Sequence, residues 1–323
     1  MTINEHFLVS GAAGCIGVWV LRNLVREGTP VTVLDLDTKH DRLPLVMTDE
    51  EIARIRFTHG DISDFPTVEN ALRECRATQV IHLAALQLPF CKADPVAGAR
   101  VNVAGTVNIF EAAKRLGLKS LVYASSTAVY GTSEDYPEQP LSHNALLKPR
   151  SHYGVYKQAN EGTARVYFQE DGISSIGLRP YVVYGAGRDQ GMTSTPTKAM
   201  LAAAAGQPYH ISYGGRYCFQ YADDTAKAFI QSARTDFQGA EVFNLGGESV
   251  STAEVISAIE QAEPSSQGRI SFDEIPLPFP PEVDNTALTT ATGPMKLTTL
   301  NHGVSETLEL FRRALSEGKI KAE

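Results

Sequence analysis

The stretch His6-Phe-Leu-Val-Ser-Gly11-Ala-Ala-Gly14-Cys-Ile-Gly17 runs a short apolar segment straight into three glycines spaced three apart. An apolar strand that enters a glycine turn and then a helical pattern marks the start of a strand–turn–helix unit. Glycine permits positive φ in the tight turn, lets another backbone approach closely, and lets the helix lie against the strand. The first helical N–H groups have no partner within the helix, and the helix dipole favours negative charge there. This makes Gly11, Gly14, Cys15, Ile16 and Gly17 candidate contacts for the phosphates of a dinucleotide.

Outward from this turn, short apolar runs alternate with amphipathic patterns, as in a parallel sheet wound by crossover helices. Strands are expected at 6–10, 30–35, 55–59, 79–83, 118–124 and 173–180, and crossover helices at 16–26, 65–75 and 96–116, where apolar residues recur every three or four positions. After about residue 185 the pattern shifts to an Ala-rich helix at 197–205, short strands, a Pro-rich stretch at 275–281 and a last amphipathic helix at 305–317. The expected fold class is therefore α/β, a doubly wound parallel sheet with a smaller C-terminal substrate-binding lobe. Residues 1–185, with parts of 215–247, would form the dinucleotide-binding domain, and 186–214 with 248–323 the lobe.

Asp35 ends the second expected strand 18 residues after Gly17. A carboxylate there accepts hydrogen bonds from both ribose hydroxyls and repels a 2′-phosphate, which favours NAD over NADP, although Lys39 and Arg42 lie nearby. Asp61 and Ile62 close the third strand with a carboxylate and an apolar neighbour suited to an adenine edge and face. Leu83, Ala84 and Ala85 end the fourth, where small side chains let a cofactor pass. Tyr153-Gly-Val-Tyr-Lys157 puts a phenol and an ammonium one helical turn apart on one face. A nearby cation favours phenolate and so turns a weak acid into a usable proton acceptor. Upstream, Leu121-Val-Tyr-Ala-Ser-Ser-Thr-Ala-Val-Tyr-Gly131 reads as a buried strand ending in hydroxyls, of which Ser126 and Thr127 are candidates to hold a substrate oxygen.

Composition excludes other classes. The 323 residues carry a net charge of −8, with no cluster of Lys and Arg to follow a nucleic-acid backbone, and no apolar run long enough to cross a membrane. Cys15, Cys75, Cys91 and Cys218 form no CxxC pair and no Cys/His spacing, so buried thiols are expected and no metal site. Nothing at the N-terminus reads as a signal peptide, and a cytoplasmic location is the expectation.

Together these motifs resemble the extended short-chain dehydrogenase/reductase family, also called the NAD-dependent epimerase/dehydratase family. Further elements of the likeness are Asp94-Pro95, Asn102-Val-Ala-Gly105-Thr106, Glu161 beyond the Tyr/Lys pair, Leu178-Arg-Pro-Tyr-Val-Val-Tyr-Gly185, Asp223-Asp224 and Phe243-Asn-Leu-Gly246. The resemblance implies a Rossmann-like fold and NAD. It implies Ser126, Tyr153 and Lys157 as the catalytic residues, with Asn102, Tyr181 and Val183 added to the cofactor contacts and Tyr184 near the nicotinamide. A homodimer built from helices 96–116 and 153–170 is expected on the same ground.

Departures from the family pattern bear on the reaction. Thr127 and Ala128 stand where dehydratases carry Asp-Glu, so dehydration is disfavoured. Val182 replaces the Asn that meets the diphosphate in sugar-nucleotide epimerases, and Arg216 is one residue out of register with their second anion contact. The resulting expectation is net oxidation of a secondary alcohol on a small polar substrate such as a sugar, sugar acid or polyol. Gln87, Ser126, Thr127, Arg188 and Arg216 would contact it, with Lys92, Gln190, Thr193 and Ser194 nearby. Transient oxidation in an epimerase is the alternative, and a non-catalytic NAD sensor the third reading.

Overall fold

Seven strands pair in parallel to build the central sheet of this protein, which is described by a computed structural model over residues 5–37 and 39–322. The strands are β1 (Phe7–Ser10), β2 (Val31–Asp35), β3 (Arg56–His59), β4 (Gln79–His82), β5 (Ser120–Ala124), β6 (Ser174–Arg179), β7 (Val182–Tyr184), β8 (Tyr209–Ile211), β9 (Arg216–Tyr221), β10 (Ala240–Asn244), β11 (Glu248–Ser251) and β12 (Ile270–Phe272). The central sheet has the order β10-β6-β5-β4-β1-β2-β3. The order reverses between β1 and β4, where β1 lies between β2 and β4, and a crevice opens at the carboxyl ends of these strands. A three-stranded sheet β11-β9-β7 and the parallel pair β12-β8 lie outside it.

The major helices are α1 (Cys15–Glu27), α2 (Phe65–Cys75), α3 (Gly105–Leu116), α4 (His152–Asp171), α5 (Thr195–Ala204), α6 (Ala222–Arg234), α7 (Thr252–Ala262) and α8 (Leu300–Ser316). Side chains alternate through the sheet and so give it two apolar faces. Phe7, Val9, Val33, Ile81 and Val122 join one core with α1 and α6. Leu8, Leu34, Val80, Leu121 and Tyr123 join the other with α2 and α3.

The expected strands and crossover helices are present, most of them displaced at their ends by one or two residues. The segment 96–116 is helical but not uniform: Pro95–Ala99 passes into a π-helical turn, Arg100–Ala104, before α3 begins. The seventh strand, β10, extends the sheet beyond the six expected strands. The last helix begins five residues earlier than its amphipathic pattern indicates, because the Glu248 carboxylate accepts from the otherwise free Leu300 N–H at 2.8 Å.

Beneath the crevice, β5, β6 and α4 are locked by one buried polar chain. Arg179 on β6 makes a two-pronged pair with Glu161 on α4 (2.8 and 2.7 Å), and Ser125 donates to the same carboxylate. Arg179 also donates to Tyr130 Oη and His143 O, and Tyr130 donates to Asn244 Oδ1 at 2.7 Å. Removing one charge would strand the other away from water. Glu161→Gln is therefore expected to cost about 3–5 kcal/mol in a urea melt, whereas Glu161→Leu combined with Arg179→Met costs clearly less than the sum of the two single changes. Additive losses would contradict this account of the pair.

Candidate active site

The crevice is a cleft of about 570 Å³. Its floor on the β1 side is the glycine turn. Gly11 has φ +70°, and a Cβ placed on it would lie 2.4 Å from Ala84 Cα; one on Gly17 would lie 2.4 Å from Ala12 Cα. No side chain caps α1 and no acid occupies its first turn, so its N–H groups are left to a ligand. Gly11, Gly14, Cys15, Ile16, Gly17, Asp35, Ile62, Leu83, Ala84, Ala85, Tyr181 and Val183 all line the cleft.

Asp35 is fixed by two backbone amides: Oδ2 accepts from Ala13 N at 2.9 Å and Oδ1 from Asp37 N at 3.0 Å. Each oxygen keeps a free lone pair for a ribose hydroxyl. Arg42 donates to Ala13 O at 3.0 Å and forms an ion pair at 2.9 Å with Asp189, which sits in the loop after β7. This clasp joins the β2 side of the cleft to the opposite wall. His82, below the cleft, is held neutral by burial, its pKa pulled down to about 3. Thr106 donates to Asn102 O and so accepts from His82 Nε2, which leaves Nδ1 to accept from Ser10.

At the other end of the cleft, Ser126, Tyr153 and Lys157 come together. Ser151 caps α4 by accepting from Gly154 N at 3.1 Å, which sets Tyr153 and Lys157 on the turn facing β5. Lys157 Nζ donates to Ala124 O at 2.6 Å and lies 5.7 Å from the Tyr153 ring centroid. Burial draws the Lys157 pKa down to about 8. Burial also raises that of Tyr153, opposed by the Ser126 hydroxyl beside it and by the charge of Arg188. Ser126 Oγ at the same time accepts from Ala128 N at 3.1 Å, so its position is set by its own turn. Arg188 is thus a second cation that bears on Tyr153, besides Lys157 at 5.7 Å from its ring, a role that the Tyr/Lys spacing does not reveal.

Several sequence expectations are corrected. Asp61 does not line the cleft; its carboxylate accepts from Ser63 N and Oγ, both at 2.8 Å, and stabilises the turn after β3. Asn102 is buried behind the wall and grips both the N–H and the C=O of Leu86, positioning Gln87 without reaching the cleft itself. Arg216 is exposed and turned away, bonded to Ser249 O and Glu254. Tyr184 is buried against Phe219 at a ring separation of 3.9 Å. Lys92 is exposed and Ser194 is buried on Gly191 O, and neither lines the cleft. Gln87, Thr127, Arg188, Gln190 and Thr193 do line it. Phe279, from the Pro-rich stretch, adds an aromatic edge over Tyr181 at 6.2 Å that sequence reasoning missed; the prolines were its only signal. The four cysteines are free thiols, three of them buried. Among the described residues there is no cluster of metal-binding side chains, and no helix is long and apolar enough to cross a membrane.

Comparison with known proteins agrees with this geometry. The model of the NAD dependent epimerase/dehydratase family matches residues 7–246. A UDP-glucose 4-epimerase from Mycolicibacterium smegmatis is 30% identical over 320 residues, covering 94% of this chain and 98% of that protein. The crystal structure of UDP-glucose 4-epimerase from Thermus thermophilus in complex with NAD superposes with a TM-score of 0.78 at 28% identity, over 96% of this chain and 100% of that one. The L-threonine dehydrogenase of Clostridium difficile shares the fold, with a TM-score of 0.83 at 21% identity over 98% and 99% of the two chains. With its glycine turn, the Asp35 carboxylate at the end of β2 and a family match spanning most of its length, the chain belongs to the NAD-dependent epimerase/dehydratase family of the short-chain dehydrogenase/reductase superfamily.

Proposed function

We propose that this protein oxidises a secondary alcohol of a small polar substrate, such as a sugar, sugar acid or polyol, in an NAD-dependent reaction with net formation of product. The observation that carries the reading is the meeting of Ser126, Tyr153 and Lys157 at the end of a cleft whose other end fits a dinucleotide. Tyr153, as phenolate, takes the proton of the substrate hydroxyl. Ser126 holds that oxygen by a hydrogen bond while it changes from alcohol to carbonyl. Lys157 supplies a positive charge beside the phenol, and Ala124 O fixes its direction. Bound NAD supplies the acceptor for the hydride that leaves the same carbon.

The small-substrate part rests on what the cleft presents. Val182 is fully buried and Arg216 points outward, so neither offers a diphosphate a partner. A desolvated diphosphate without partners is costly. The likeness to UDP-glucose 4-epimerases over nearly the whole chain favours a second reading, epimerisation by transient oxidation. Net NADH separates the two: a substrate panel with NAD should yield NADH with small alcohols, whereas interconversion of a nucleotide sugar without NADH would establish epimerisation instead.

Tyr153→Phe should lower turnover by about a hundredfold or more while NAD binding, followed by calorimetry, stays within about twofold. Equal loss of both would remove Tyr153 from the chemistry. Oxidation requires the ionised phenol, so kcat/KM should rise as pH increases through the Tyr153 pKa. Arg188→Gln should move that rise upward, since the guanidinium stays charged throughout this range and favours the ionised phenol. Preference for NAD follows from Asp35 and from the pairing of Arg42 with Asp189. Asp189→Ala should free Arg42 and tighten NADP binding about tenfold relative to NAD, measured by titration of NADPH fluorescence.

A further inference from the structure

Three cations line the cleft, and two are already engaged. Lys157 donates to Ala124 O, and Arg42 is neutralised by Asp189. Arg188 is different. Among the described residues it has no carboxylate partner; its Nη2 donates to Thr193 Oγ1 at 2.9 Å, and its Nε is buried with no partner at all. A guanidinium offers five N–H donors in a planar fork, and burying one of them unpaired costs free energy that a ligand would recover. The Tyr181 hydroxyl, in the same cleft wall, is likewise buried without a partner.

The position of this charge is set by its neighbours. Arg188 acts on Tyr153, and it converges with Gln87 over Gly191, which has φ +89°. A Cβ on that glycine would lie 2.7 Å from Gln87 Oε1 and 3.4 Å from an Arg188 Nη. The missing side chain at Gly191 thus lets the Gln87 amide and the Arg188 guanidinium pack together against the same backbone, both lining the cleft that holds Tyr153. Arg188 also acts on Cys15, at the start of α1, so the cofactor pyrophosphate is a competing claimant for the same charge. That anion already has the uncapped N-terminus of α1.

Building on the oxidation proposed above, we propose that Arg188 is the specificity-determining residue for a substrate carboxylate, so that the alcohol oxidised is a hydroxy acid. The planar fork matches a carboxylate in two-point geometry, Gln87 adds an amide, and Thr193 holds the guanidinium from behind. One guanidinium without a carboxylate partner balances one carboxylate; the other such cation lining the cleft among the described residues, Lys157, is directed at Ala124 O beside the phenol, and Arg42 is taken by Asp189.

The test compares short aldonic acids with their neutral amides as substrates, following NADH formation, in the wild type and in Arg188→Gln and Arg188→Lys, with the NAD dissociation constant of each measured by calorimetry. The expected result is that the wild type prefers acid over amide by about tenfold or more in kcat/KM. Arg188→Gln should abolish that preference: turnover of acid and amide both fall, because the Arg188 charge also favours the Tyr153 phenolate, but the acid should lose about 10- to 100-fold more than the amide, and NAD affinity should stay within about threefold. Arg188→Lys, which keeps the charge but not the fork, should fall between. Equal turnover of acid and amide by the wild type would overturn the inference while leaving the oxidation reading intact. So would an Arg188→Gln loss that appears equally in NAD affinity, which would make Arg188 a pyrophosphate ligand. Interconversion of a nucleotide sugar with no NADH from any alcohol would remove the oxidation reading, and this inference with it.

Discussion

Two stretches of backbone pass so closely at Gly11 that a methyl group there would sit 2.4 Å from the Cα of Ala84. The β1 side of the cleft depends on that approach. It brings the turn after β1 onto the end of β4, sets the N-terminus of α1 at the mouth of the crevice, and leaves the first amides of that helix facing outward. Asp35 depends on the same turn, because one carboxylate oxygen is held by Ala13 N. Arg42 depends on it too, through Ala13 O. A single residue's backbone therefore orients an acid on one side and a base on the other, and the base in turn reaches Asp189 across the cleft.

The opposite end is held by charge rather than by close packing. Glu161 and Arg179 are nearly inaccessible to water and tie α4 to β6, while Ser125 ties the end of β5 to the same carboxylate. Ser126 follows Ser125 directly, and Lys157 lies one turn before Glu161 on α4, so this pair supports both without touching a ligand. Such a pair contributes little net stability compared with apolar packing. What it contributes is register, since a planar guanidinium with two short bonds to a carboxylate tolerates little displacement. The Tyr153 phenol then stands in a medium that resists ionisation, with Ser126 and Arg188 working against that resistance.

How much of this was legible in the sequence follows from what a sequence encodes. Period and glycine placement specify backbone, and the sheet, the α1 turn, Asp35 and the Tyr153–Lys157 turn were all legible for that reason. Asp61, Asn102, Tyr184 and Arg216 were placed at the right strand ends or segments but given the wrong direction. A position along the chain says which wall a residue belongs to, and local hydrogen bonding then decides whether the side chain enters the cleft. Asp61 is taken by Ser63, Asn102 by Leu86 and Arg216 by Glu254. The π turn at Arg100–Ala104 was illegible because a helix that gains one residue keeps an apolar periodicity close to that of an α-helix over so short a span.

The sequence marks Arg188 as one of five candidate substrate contacts, and its particular weight comes from competition for acids. The loop after β7 carries Arg188 and Asp189 side by side, yet Asp189 turns to Arg42 on the far wall. Trp19 anchors the base of this loop, its indole N–H donating to Ala186 O at 2.9 Å. The clasp that spans the cleft is thus also what leaves Arg188 without a counterion. One carboxylate cannot satisfy both guanidinium groups, and by serving the clasp with the β2 side it leaves the positive charge at the chemical end of the cleft, beside Tyr153.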